Sequence, residues 1–121
     1  MNTFEDLGIS PQFIEALTEN NILFPTEIQE KAIPFLLKDG GDFVGQAQTG
    51  TGKTAAFGLP ILHRIDPDNK KIQAIILSPT RELGQQIAKQ LFKFTKYAKK
   101  KIFVEAVYGG EKIDVQIGKL K

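Results

Sequence analysis

Two periodicities alternate along this chain. In the first 41 residues the apolar positions recur at helical spacing. Ser10-Pro11 predicts a helix start, with Ser10 as N-cap and Pro11 in the first turn, where a missing N–H costs nothing. Phe13, Ile14 and Leu17 then share one face, and a loop is expected over residues 20–25. Thr26 caps a second predicted helix with Ile28, Ala32, Ile33, Leu36 and Leu37 on its apolar side. Pro34 lies inside it, so a bend or a split is expected there. Gly40-Gly41 ends the run.

From residue 42 onward, short apolar runs take turns with helical ones. Residues 42–46 read as a strand, 47–52 as a glycine-rich turn, 53–65 as a helix and 66–71 as a polar loop. Residues 72–78 read as a buried strand, and 80–99 as a long helix with Leu83, Ile87, Leu91 and Phe94 at helical spacing. Residues 102–108 read as a third strand, Gly109-Gly110 as a turn, and 111–120 as the start of another helix. Such alternation predicts an α/β fold, a parallel sheet with helices on both faces. Two regions follow, a helical segment over 1–41 and an α/β part over 42–121. The alternation stops in mid-pattern at Lys121, as expected of a segment of a longer protein.

The stretch Ala47-Gln48-Thr49-Gly50-Thr51-Gly52-Lys53-Thr54 sits between a predicted strand and a predicted helix, the setting a phosphate-binding loop requires. Gly50 and Gly52 permit backbone angles that turn successive N–H groups toward phosphate oxygens. A helix N-terminus adds partial positive charge. Lys53 can reach β- and γ-phosphates and the Thr54 hydroxyl can ligate Mg²⁺, which makes these two the catalytic candidates. The general pattern begins with glycine, where this chain has Ala47. Kinases, GTPases, transporters and helicases share such loops, so the loop alone leaves the reaction open.

Composition narrows the field. One domain is the most that 121 residues support, and no cysteine is present for disulfides or thiolate metal sites. His63, the single histidine, cannot build a metal site alone. No apolar run approaches the roughly 20 residues of a membrane span, and no signal-peptide pattern opens the chain; a soluble cytoplasmic protein is expected. Residues 1–42 hold eight acidic and two basic side chains (−6), and residues 43–121 six and fourteen (+8). Lys89, Lys93, Lys96, Lys99, Lys100 and Lys101 follow one another with no acid between them. That stretch can attract phosphates, although a solvated helix face is the plainer explanation.

Several motifs in order resemble those of DEAD-box RNA helicases. AQTGTGKT at 47–54 resembles that family's first helicase motif, where alanine in first place is usual. Pro79-Thr80-Arg81-Glu82-Leu83 matches its PTREL motif, and Pro25-Thr26-Glu27-Ile28-Gln29 the core of its Q motif. Phe4 lies seventeen residues before Asn21, where the family keeps an isolated aromatic, and Gly109-Gly110 matches its GG motif. Residues 111–121 are similar to the helix that follows, with Gln116-Ile117 and Leu120-Lys121 at familiar places.

The resemblance implies the first part of a RecA-like P-loop domain that binds ATP with Mg²⁺ and holds RNA by its backbone. It implies phosphate binding along Ala47, Gln48, Thr49, Gly50, Thr51, Gly52, Lys53 and Thr54, with Thr54 at the metal. It implies an adenine site at Gln29, Thr26 and Ile22, where the Gln29 amide could pair with two edge atoms of the base. Thr26 and Gln29 fit a T-x-x-Q capping box equally well. One position departs: Ile22 stands where an aromatic usually stacks on adenine, beside Asn21 in place of the usual glycine, and Phe24 is the nearest substitute. Phe4 is expected to brace this loop. Thr80, Arg81, Gly109 and Gly110 are implied to hold RNA sugar and phosphate, giving little sequence preference. The family's DEAD, SAT and TPGR motifs, and the second RecA-like domain that partners this one, would lie beyond Lys121. Another P-loop enzyme such as a kinase, or a non-catalytic nucleotide- or RNA-binding module, are the alternatives.

Overall fold

The computed structural model describes residues 2–38, 41–47, 52–69 and 71–107. Among these described residues four helices stand in order: α1 (Pro11–Glu19), α2 (Glu27–Leu37), α3 (Lys53–Arg64) and α4 (Arg81–Phe94).

α1 starts at Pro11 behind an extended Ser10, which makes no side-chain cap bond. It ends in a Schellman arrangement. Asn21 is left-handed at φ 62°, its N–H donates to the Thr18 carbonyl at 3.0 Å, and the Ile22 N–H donates to Leu17 O at 2.8 Å. α2 runs unbroken past Pro34, so the predicted split does not occur. The proline sits one turn from the helix end, where only one interior hydrogen bond is lost. The Arg64 guanidinium, at the end of α3, donates to the Leu36 carbonyl in the last turn of α2. A cation there complements the partial negative charge of the helix end.

α4 is shorter than predicted, ending at Phe94 instead of residue 99. The Thr95 hydroxyl donates to Phe92 O at 2.8 Å and the Thr95 N–H donates to the same carbonyl at 3.2 Å. Local side-chain bonds of this kind compete with helix propagation. The following turn is anchored on α1, where Lys96 and Tyr97 both bond the Glu19 carboxylate. Those contacts hold the Glu19 carboxyl below the usual carboxylate range, through Lys96 first and Tyr97 second.

Phe4, Leu7 and Ile9 fold the N-terminal segment onto Phe13, Leu17, Ile33, Leu59, Leu62, Ile87, Leu91 and Phe94. Phe4 is core, 2% exposed. Leu83, predicted on the buried face of α4, is instead 39% exposed, because it lies in the first turn ahead of the packed stretch. Gly58 lets α4 press against α3; a Cβ there would lie 2.5 Å from Leu91 Cδ2.

The predicted strands are where the structure departs most. Residues 42–47, 72–78 and 102–107 form no strand ladder among the described residues, and Tyr108 lies outside them. Val44 and Leu77 are 97% and 90% exposed, so the run 72–78 lacks, among the described residues, the cover that its composition suggests. A strand acquires its hydrogen bonds only from neighbours, and both faces of a parallel sheet are covered only by complete flanking layers. Alternation survives in places: Ile102 is buried and Val104 packs against the core, while Phe103 and Val107 are exposed. The predicted helix at 111–120 and the Gly109-Gly110 turn lie outside the described residues, as does Gly40.

His63 joins α3 to the start of α1. Its ring lies 5.0 Å from that of Phe13, and its Nε2 accepts the Ser10 N–H at 3.2 Å. Burial holds its pKa below the ordinary 6.5. The unfolded chain therefore binds a proton that the folded one resists, and stability rises with pH between the folded and unfolded values. His63's contribution should be complete above about pH 6.5 and should fade as the pH falls below it. Asp6, Glu19 and Glu27 have lowered pKa values and titrate at more acid pH. Urea melts between about pH 5 and 8 should thus show a slope that His63→Gln flattens; a slope unchanged in the variant would place its origin elsewhere.

Candidate functional site

The helix that follows the glycine-rich stretch, α3, begins in a way that suits an anion. Gly52 caps α3 in the left-handed region, φ 83° and ψ 28°. The first helical bond runs from Ala56 N–H to Gly52 O at 3.2 Å. No side chain caps the first N–H groups, and the first turn holds no acidic residue. Lys53 is the first helical residue and is exposed, and Thr54 beside it is half-buried. Neither side chain makes a hydrogen bond or ion pair among the described residues. Ala47 is half-buried on the incoming side; Gln48, Thr49, Gly50 and Thr51 lie outside the described residues.

Gln29 is 2% exposed, the one buried polar residue among those described. Its Oε1 accepts the Thr26 N–H at 2.9 Å, and its Nε2 donates to Gly52 O at 3.1 Å. One amide therefore closes the start of α2 and grips the residue from which α3 springs. The Thr26 hydroxyl is oriented as a capping box requires, but its oxygen is buried and makes no hydrogen bond of ordinary geometry among the described residues. The amide thus serves as the cap that the T-x-x-Q spacing allows. Each of its two polar atoms keeps one unused bonding site, shielded from solvent.

The chain's departure at Asn21-Ile22 has a structural cause. A glycine suits that position because the backbone there is left-handed, and asparagine is among the side chains that tolerate it. Ile22 follows as the apolar residue after a Schellman cap and packs against the core beside Leu17. Phe24, in contrast, is 57% exposed, leaving its ring accessible.

Thr80 is the N-cap of α4, its Oγ1 accepting the Leu83 N–H at 3.1 Å. Its carbonyl accepts from the Ser78 hydroxyl at 3.1 Å. Thr80 and Arg81 are both exposed at this helix start, and Gly109 and Gly110 lie outside the described residues. The Gln29–Gly52 tie has no signal in the sequence. It joins positions 23 residues apart, and nothing local marks it.

The sequence profile described as "DEAD/DEAH box helicase" matches residues 26–121. The ATP-dependent RNA helicase DeaD of Klebsiella pneumoniae is 47% identical over 119 residues, covering 98% of this chain and 18% of that protein. A crystal structure of a DEAD box protein from Methanococcus jannaschii superposes with a TM-score of 0.91 at 39% identity, over 98% of this chain and 32% of the other. S. cerevisiae Dbp5 bound to RNA and ADP BeF3 superposes with a TM-score of 0.78 at 31% identity, over 99% of this chain and 35% of the other. The chain thus spans about a fifth of the length of the first relative.

Proposed function

Because the chain belongs to the DEAD/DEAH box helicase family, we propose that it supplies the ATP-binding front of an ATP-dependent RNA helicase, which couples hydrolysis to local unwinding of RNA duplexes. The observation that carries this reading is the start of α3. A left-handed Gly52 leads into a helix whose first N–H groups are uncapped and whose first side chain is an exposed lysine.

In this reading Lys53 binds the β- and γ-phosphates, and the N–H groups of the helix start take up phosphate charge. Thr54 would hold Mg²⁺, which supplies charge neutralisation between the phosphates. Gln29 keeps the loop's last residue in register with α2. Adenine recognition by Gln29 would require its amide to turn its remaining bonding sites outward, and the exposed ring of Phe24 offers a stacking surface. Thr80 and Arg81 present a helix start, a hydroxyl and a guanidinium, which suit an RNA sugar–phosphate backbone. Residues 42–46, 72–78 and 102–107 would be parallel strands of a RecA-like sheet with helices on both faces; the alternating exposure at 102–107 supports this. A second RecA-like domain would complete the ATP site in the longer protein. A cytoplasmic location goes with RNA as partner. The PTREL and Q-motif residues favour this reading over a kinase.

Calorimetric titration with ADP and GDP tests it. ADP should bind more tightly than GDP, and Lys53→Ala should weaken ADP by about 10- to 100-fold, the worth of one charge-assisted bond. Equal affinity for the two nucleotides would reduce Gln29 to a cap and leave the loop intact. ADP binding undiminished in Lys53→Ala would remove the phosphate loop itself.

A further inference from the structure

The buried side of α4 is Ile87, Leu91 and Phe94. At 3.6 residues per turn, Lys89, Phe92 and Lys93 fall on the opposite side. Phe92 is 63% exposed there. Lys89 and Lys93 are exposed, with no hydrogen bond or ion pair among the described residues. They stand about 6 Å apart along the axis, with the ring between them in sequence. Lys99 beyond the helix end is likewise exposed and without such a partner among the described residues. Lys96 and Lys100 are partly occupied by Glu19 and Asp68. Glu82, two turns toward the helix start, is the acidic side chain on this side of α4.

A lysine-rich solvated face has no use for an exposed phenylalanine beside its lysines. Cations that track a backbone, together with a ring on which a base can stack, are the two components of single-strand binding surfaces. A membrane-lying helix would need its broad apolar face free, whereas that of α4 is spent in the core.

We propose that the outer face of α4, built on Lys89, Phe92 and Lys93 and continued by Lys99, is a binding surface for single-stranded RNA separate from Thr80 and Arg81. Lys93 lies about 20 Å along the helix from Thr80, too far for one side chain to serve both places. The ammonium groups meet phosphates and Phe92 stacks on one base. Neither reads base edges, so this surface has little sequence preference. The inference rests on the proposed RNA function for the class of polymer, and on α4 alone for the place.

Fluorescence anisotropy of the whole chain with a labelled oligouridine, over a series of salt concentrations, tests it. Lys89→Gln with Lys93→Gln should lower the slope of log affinity against log salt by about 1.4, at roughly 0.7 for each phosphate that is no longer neutralised. Phe92→Ser should weaken binding by roughly 5- to 100-fold, the range for one base stacked on an aromatic ring. These positions face solvent, and circular dichroism checks that the helix survives. Arg81→Gln, which keeps the Thr80 cap of α4, should leave the α4 contribution in place. RNA binding that depends on Arg81 but not on the α4 variants would overturn this proposal and keep the RNA function. No binding of RNA by the unaltered chain would overturn both. Phe92-dependent binding to phosphatidylglycerol vesicles without binding to RNA would overturn it in favour of a membrane surface.

Discussion

Purified alone, the 121-residue chain should release no phosphate from ATP above background, with or without RNA. Phosphoryl transfer needs Mg²⁺ held in place, a positioned water and a cation on the transition state. In the proposed reading Lys53 and Thr54 would hold phosphates and one side of the metal. Neither has a carboxylate partner among the described residues, and no group of three or more His, Asp or Glu there could hold a metal. The two arginines serve elsewhere: Arg64 donates to the α2 carbonyl of Leu36, and Arg81 opens α4. His63 is no substitute base, since its Nε2 is engaged by Ser10. An absent cationic finger alone costs about 10³–10⁵ in rate, and among the described residues no carboxylate is paired with Lys53 or Thr54 to orient a water. A phosphate-release assay decides the matter. Turnover that Lys53→Ala abolishes would show that the catalytic groups lie within these residues after all.

The helices are legible in the sequence because their apolar periodicity and their punctuation agree. Ser10-Pro11 marks the start of α1, and the T-x-x-Q spacing marks that of α2. The predicted α4 runs too far because Lys96 to Lys99 are compatible with a helix, while the stop comes from the Thr95 hydroxyl and from Glu19, 77 residues away in sequence from Lys96. Composition marks residues 72–78 as β-type, yet a ladder depends on partners that composition does not specify. The glycine-rich stretch 47–54 is legible as a motif, and the structure describes only its two ends, Ala47 and residues 52–54. The role of Gln29 is legible only in half, since the cap is local and the grip on Gly52 is not. The departure at Asn21 and Ile22 suggests a weakened adenine site when read as sequence. In the structure it is a helix C-cap that asparagine tolerates and isoleucine completes.

Gly52→Ala should destabilise the fold more than any surface change and weaken nucleotide binding with it. Two costs combine. At φ 83° a side chain carries the penalty of the left-handed region, about 1–2 kcal/mol. The new Cβ would also lie 2.3 Å from Gln29 Nε2 and 3.3 Å from Thr26 Oγ1, so the amide must withdraw from the Gly52 carbonyl. Leaving a buried donor without its acceptor costs about 1–3 kcal/mol more. A total of about 3 kcal/mol, read from urea denaturation, is expected. Because the first N–H groups of α3 follow directly on Gly52, the same displacement should reduce ADP affinity without touching Lys53. A double-mutant cycle separates the two costs. In a Gln29→Ala background the clash is gone, so Gly52→Ala should cost only the backbone strain of about 1–2 kcal/mol. Strict additivity of the two substitutions would show that Gln29 and Gly52 are not coupled, and the tie between the two helix starts would then carry no energy.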